Sequence, residues 1–243
     1  MALTLLEGFG CSLISWICVY ALICYVNSLR GYEFNCRVVT FIHGVIIVLL
    51  TAYIAFIDGP WPYTNTGVLN TPMQILALLV SLGYFVFDMG WCMYFRTEGP
   101  VMLAHHVLTI LAMLLTLAEG KCGTEACAVI LGSEVTNPFL QSRWFLKRLG
   151  KYDTLVGDVV DFLFILLFLV VRIGFGAGML HAVVTCPRSR WYIKASGLSI
   201  YTISCVFMVD IVRFAIRKSC GKYKRWQERR QLLDVANGKP HLQ

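Results

Sequence analysis

The stretch GTEACAVILGSEVTNPFLQS, residues 123–142, decides the fold. Its 20 residues are enough to cross the roughly 30 Å hydrocarbon core of a bilayer. It also carries Glu125, Glu134, Asn137 and Pro138, which a membrane span tolerates only at a cost. If it crosses, the chain passes through the membrane seven times; if it does not, six. The remaining spans are plainer, at residues 8–28, 38–57, 72–95, 101–118, 155–184 and 196–216. Pro60, Pro62, Asn65, Gly67 and Asn70 mark the second connection as irregular loop. Trp61, Tyr63, Trp91, Tyr94, Trp144, Tyr152, Trp191 and Tyr192 fall at span ends, where amphipathic rings favour the interface.

Charge sorting tests the doubtful span. With seven crossings the Lys and Arg residues divide 15 to 4 between the two sides, leaving Arg172 and Arg213 within the membrane. Without the fifth crossing the division falls to 13 to 6. The positive-inside rule therefore favours seven. The expected fold is an all-α, polytopic membrane helix bundle of about seven transmembrane helices, with the N-terminus lumenal or extracellular and the C-terminus cytosolic. Pro138 is expected to free a backbone carbonyl and kink the fifth helix.

Composition agrees with this class. Hydrophobic residues make up 58% of the 243, and charged residues 14% against roughly a quarter in a soluble domain. The net charge of +7 lies in connections and tail, so it reads as topology and not as a nucleic-acid surface. No internal repeat of the kind that marks many transporters is visible. Three parts follow: an N-terminal signal-anchor helix over 1–29, a six-helix membrane domain over 30–217, and a basic cytosolic tail over 218–243, expected to be disordered.

Topology then brings the ionisable residues to similar depth. His43, Asp88, His105, His106, Glu134, Asn137, Asp158, Asp161 and Asp210 come from six helices, all roughly 5 to 12 Å below the cytosolic helix ends at about 1.5 Å per residue. Asp158 and Asp161 share a helix face, as do Glu134 and Asn137. His105 and His106 are adjacent and point about 100° apart. A neutral imidazole beside a carboxylate can act as a general base or nucleophile. The competing reading of each residue is a hydrogen bond across the bundle, worth about 0.6 kcal/mol on average. Asp210 and Arg213, three apart, look like such a local pair. An adjacent histidine pair does not chelate from one helix face, so no metal site is expected.

Two stretches carry a family resemblance. LAHHVLTI, residues 103–110, resembles the double-histidine helix of the TLC-domain family, which includes the ceramide synthases; GSEVTNPFLQSRW, residues 132–144, resembles the acidic, proline-containing helix that follows it there. The resemblance runs from about residue 30 to 217. It implies acyl transfer from acyl-CoA as co-substrate, with no resident cofactor, and residence in the endoplasmic reticulum more than the plasma membrane. Carried over by position, His105 and His106 match the histidine pair. Glu134 and Asn137 stand where the family's aspartate pair would be, a departure that tells against ceramide synthesis itself.

The expected function is accordingly lipid metabolism at a cytosol-facing intramembrane site. His105, His106, Glu134 and Asp88 are its candidate catalytic residues, and His43, Asn137, Asp158 and Asp161 candidates for substrate binding. The rival is a non-catalytic lipid-binding protein or regulator of membrane composition that keeps the same fold. Membrane lipids are the expected partners. The seven basic residues between Arg217 and Arg230 suit anionic lipid, although they serve topology equally well. The ten cysteines read chiefly as small apolar residues, with Cys122 and Cys186 as the pair to watch for a lumenal disulfide.

Overall fold

The computed structural model describes residues 2–236; Lys239 and His241 of the expected tail lie outside them. The described residues form two units, divided between Ser204 and Cys205. The elements are α1 (Ala2–Val26), α2 (Tyr32–Tyr53) with a π-helical end (Ile54–Asp58), α3 (Pro72–Phe95), α4 (Pro100–Glu119), α5 (Gly123–Glu134), α6 (Asn137–Arg148), α7 (Leu155–Leu167), a π-helical stretch (Phe168–Phe175), α8 (Gly176–Thr185) and α9 (Trp191–Ala236). Six continuous helical segments are long and apolar enough to span a bilayer.

The seventh crossing is the pair α5–α6. Val135 and Thr136 break it, and Pro138 sits in the first turn of α6, where its missing N–H is harmless. The kink expected from Pro138 falls at this break, whose two residues keep right-handed helical dihedrals. Contacts at the two ends establish that the pair crosses the bundle. At its start, Cys122 N–H donates to Val68 O and Asn70 N–H to Gly120 O, both at 2.9 Å, and Arg190 pairs with Glu119 at 3.5 Å. At the far end of α6, the Trp144 and Phe145 rings meet Phe34 at 5.9 and 5.0 Å, and Arg37 reaches Gln141, Glu33 and Glu98. One end of the bundle therefore gathers the connections around residues 67–70, 120–122 and 186–190, and the other gathers those around 30–37, 96–99 and 149–154. We call the second the basic end.

Local chemistry sets these elements. Thr71 and Gln74 form a capping box at the start of α3, with Pro72 in the first turn. Gln74 is buried and also donates to Thr124 at 3.0 Å, tying α3 to α5. Gly123 makes this possible: a Cβ there would lie 2.7 Å from Gln74 Oε1 and 2.8 Å from Asn70 Oδ1. Leu22, Leu49, Val107, Leu111 and Phe162 face outward, as a lipid-facing surface requires, while Asn35, His43, Thr51, Gln74 and Ser81 are fully enclosed.

Two expectations are corrected. Residues after Lys218 are not irregular: α9 is helical through Ala236, in a run of good helix formers with Arg230 over the Trp226 ring one turn away. At the basic end α2 also begins earlier and α6 ends later than hydropathy alone indicates, because charged turns extend them. Counted at about 1.5 Å per residue, His43 lies about 17 Å from the start of α2 and Glu134 about 21 Å from the end of α6. Asp88, His105, His106 and Asp161 keep the expected distance of roughly 5 to 12 Å from the basic ends of their helices. Within the second unit, Asp210 and Arg213 do form the local pair, at 3.5 Å.

Candidate functional site

Asp88 on α3 and His106 on α4 form the tightest contact of the cluster. His106 Nε2 is 2.8 Å from Asp88 Oδ2, and its Nδ1 is 2.8 Å from the Met102 carbonyl one turn earlier. A carbonyl only accepts, so Nδ1 carries the hydrogen, and the remaining contact shares one proton between imidazole and carboxyl. Both ring nitrogens of His106 are thereby engaged. Its orientation is fixed in the manner of a histidine held by a carboxylate and a backbone carbonyl.

His105, its neighbour, points elsewhere, as adjacent positions on a helix must. It lines an apolar cavity of about 80 Å³ together with Phe85, Met113, Val129, Ile130 and Glu134. The same cavity reaches Thr116, eleven residues further along α4, so it extends about 17 Å away from the basic end. Phe85 separates the histidines: its ring centroid lies 6.2 Å from His105, 5.6 Å from His106 and 6.0 Å from His43.

Glu134 was expected beside the adjacent pair, but its near histidine is His43, with Nδ1 3.7 Å from Oε2. The reason is the close packing of α2 on the α5–α6 break. Gly44 permits it, since a Cβ there would lie 3.3 Å from Pro138 Cδ and 3.6 Å from Asn137 Cβ. His43 is wholly enclosed, stacked on Tyr84 at 3.7 Å with Trp16 at its edge, 5.4 Å away. Neither of its ring nitrogens has a hydrogen-bond partner. From Glu134 a file of polar groups runs to the basic end. Asn137 Nδ2 donates to Glu134 at 2.9 Å, Gln141 Nε2 donates to Asn137 at 3.0 Å, and Arg37 donates to Gln141 at 3.4 Å.

Asp161 belongs to a different assembly. It accepts from Arg143 Nε and from the Tyr152 hydroxyl, holding the corner between α6 and α7, and half-buried Asp158 lies one turn earlier on α7. The structure thus brings together His43, Asp88, His105, His106, Glu134 and Asn137, and sets Asp158 and Asp161 at the corner. Sequence reasoning missed Trp16, Tyr84 and Phe85, aromatic residues that look like ordinary core until packed. It also missed Gln141, which its four-residue spacing from Asn137 could have exposed. Cys122 and Cys186 are both free thiols; Cys122 Sγ lies 3.9 Å from Ser189 Oγ, and Cys186 donates to the Thr66 carbonyl at 3.5 Å.

The TLC-domain profile matches residues 33–214, which hold every member of this cluster except Trp16. The chain belongs to the TLC-domain family. Among curated relatives, TLC domain-containing protein 4-B of Xenopus laevis is 25% identical over 205 residues, covering 77% of this chain and 76% of the relative. TLC domain-containing protein 4 of Homo sapiens is 26% identical over 156 residues, covering 60% of this chain and 57% of the relative. TLC domain-containing protein 4 A of Dictyostelium discoideum is 24% identical over 143 residues, covering 58% and 55%. The overall match was expected to be nearest to TLC domain-containing protein 5; the profile match shows the family and does not single out that member. No solved structure matches the chain. In TLC terms, α1 precedes the matched domain yet supplies Trp16, whose Nε1–H donates to the Val80 carbonyl of α3 at 3.1 Å and closes the side of His43.

Proposed function

We propose that this TLC-domain membrane protein transfers an acyl group from acyl-CoA to a lipid, with His105 as the group that takes it up. The observation that carries this reading is the difference between the two adjacent histidines. His106 is locked by Asp88 and Met102, whereas His105 faces an apolar slot that also contains the Glu134 carboxyl. In the proposed step the imidazole nitrogen of neutral His105 attacks the thioester carbonyl carbon. A C–N bond forms, the C–S bond breaks and coenzyme A leaves as the thiol, taking the proton from the other imidazole nitrogen. A lipid hydroxyl or amine then attacks the acyl-imidazole, the C–N bond breaks, and the acceptor's proton returns to the imidazole, with the Glu134 carboxyl close by in the same slot. The apolar slot accepts the acyl tail, and the Asn137–Gln141–Arg37 file leads from the acid to the basic end, which charge sorting assigns to the cytosol, where acyl-CoA is found. Residence in the endoplasmic reticulum is part of the proposal, and so is attraction of the basic stretch of α9 to anionic lipid.

One observation favours the non-catalytic reading. Both ring nitrogens of His106 are engaged inside the protein, Glu134 accepts from Asn137, and the second acidic position of the family's pair is Asn137, an arrangement that also suits a fixed lipid-binding fold. The two readings separate on incubation of the purified protein with acyl-chain-labelled acyl-CoA, quenching and intact-mass measurement. Acyl transfer predicts an acyl adduct on the peptide containing His105 that is absent from His105→Ala and discharged by added lipid acceptor. Saturable binding with no adduct and no transfer in the wild type favours the non-catalytic reading.

A further inference from the structure

A second cavity, of about 370 Å³, lies on the other side of α5, and Arg172 forms part of its wall. It shares Val129, Ser133, Val183, Gly197 and Ile200 with the smaller cavity, so the two flank a common partition. Its volume falls within the range of about 300–1,000 Å³ usual for ligand sites. Most of its walls are apolar, from Ala55 and Ala128 to Val171 and Met179. At the rim, Phe56 is 67% exposed, Phe175 59% and Trp61 45%, so the cavity opens on the lipid-facing flank.

Arg172 is seventeen residues into the helical segment that starts at Leu155, about 26 Å along it. An arginine at such depth is costly, and by default it marks a functional site. Three contacts aim it. Nε–H donates to Ser204 Oγ at 3.1 Å, Nη1–H donates to the Ser133 carbonyl at 3.4 Å, and the guanidinium lies 5.1 Å from the Phe168 ring centroid. It sits in the π-helical stretch Phe168–Phe175, a local widening of the helix that recurs at functional positions. Glu134 and His105 lie near enough to interact with its charge. A single directed cation in an apolar cavity open to lipid is the complement of an amphiphile with an anionic head.

We propose that this cavity binds a lipid whose anionic headgroup, a carboxylate or a phosphate, pairs with Arg172 while its chain lies against Val171, Phe175 and Met179. Arg provides a planar fork suited to either anion. The bound head would lie across Ser133 from His105, so the occupant is distinct from an acyl group in the smaller cavity. This inference goes beyond acyl transfer and does not depend on it, because binding requires no turnover.

The test uses the purified full chain in a neutral detergent and three diazirine-bearing probes of one chain length: a fatty acid, a lysophosphatidic acid and a fatty alcohol. Peptides covering residues 128–133 and 171–176 are quantified after photolysis. At least one anionic probe should label them about tenfold more than the alcohol, the scale of a charge-assisted hydrogen-bonded pair. Which anionic probe does so distinguishes a carboxylate from a phosphate ligand. Arg172→Gln should reduce that preference to none, Arg172→Lys should retain most of it, and Ala128→Phe, which fills the cavity and leaves the charge, should remove labelling by all three. Equal labelling by the alcohol and both acids in wild type overturns the proposal, as does an unchanged preference in Arg172→Gln. If Arg172→Gln does not fold, as judged by its melting transition, Ala128→Phe decides: undiminished labelling overturns the proposal and loss sustains it.

Discussion

At the residue scale, the two neighbouring histidines make different demands on the fold. His106→Ala leaves the Asp88 carboxyl without its imidazole and removes the side-chain contact to the Met102 carbonyl, which keeps its helical N–H donor, a loss of about 1–3 kcal/mol. Its melting transition in detergent should therefore fall clearly. His105→Ala removes a side chain that faces a cavity, so its melting transition should stay within a few degrees of wild type while any acyl adduct disappears. Equal destabilisation by the two substitutions would contradict the division of roles drawn above. The thiols at the end opposite the basic one also differ. Burial pushes the Cys186 thiol up, but hydrogen bonding by Thr66, Ser189 and the Arg188 and Ser189 backbone outweighs it and leaves the thiol below its ordinary value. Burial pushes Cys122 up to about 12. A thiol of lower pKa is more thiolate at a given pH, so Cys186 should react with a small alkylating reagent near neutral pH, faster than an ordinary thiol. Cys122 should remain unmodified there. Peptide mapping after alkylation between pH 6 and 9 checks both; faster modification of Cys122 would show the order to be wrong.

At the scale of elements, close helix contacts rest on glycines that admit no larger residue. At Gly83 an added Cβ would lie 2.3 Å from Ser12 Oγ and 2.8 Å from the Leu13 backbone nitrogen, so Gly83→Ala must push α1 away from α3. Overpacking of this kind typically costs about 1–3 kcal/mol, and here it also loosens Trp16 from Val80 and from the edge of His43. The expected result is a lower melting transition and faster proteolysis within α1. A stability equal to wild type would mean that α1 does not dock as described. The sequence made much of this level readable. Pro138 pointed to the bend in the fifth crossing, and the apolar run over 72–95 matched the bounds of α3. It could not reveal the extensions at the basic end, because the charged turns of α2 and α6 lower mean hydropathy without ending a helix. That is why His43 and Glu134 lie farther from their helix ends than counting from apolar boundaries placed them. Their partnership depends on Gly44 meeting Pro138, a contact between helices almost a hundred residues apart that no spacing rule reaches.

For the molecule as a whole, the charge count and the end-to-end contacts support the same seven-crossing arrangement by independent routes. A glycosylation acceptor segment inserted after Thr64 should be modified in cells, and the same segment inserted after Gly150 should not; the reverse pattern would invert the orientation. The function is less legible than the topology. Polar residues within membrane helices are visible in the sequence, but their grouping into a histidine cluster, a corner lock at Asp161 and a cavity-facing Arg172 emerges only from packing. The central claim is that the TLC fold here performs lipid acyl transfer through His105. Its most direct test is quantitative lipidomics of cells lacking the protein, re-expressing either wild type or His105→Ala at equal abundance. The account predicts that wild type restores the acyl composition of at least one lipid class and that His105→Ala does not. Full restoration by His105→Ala would contradict it.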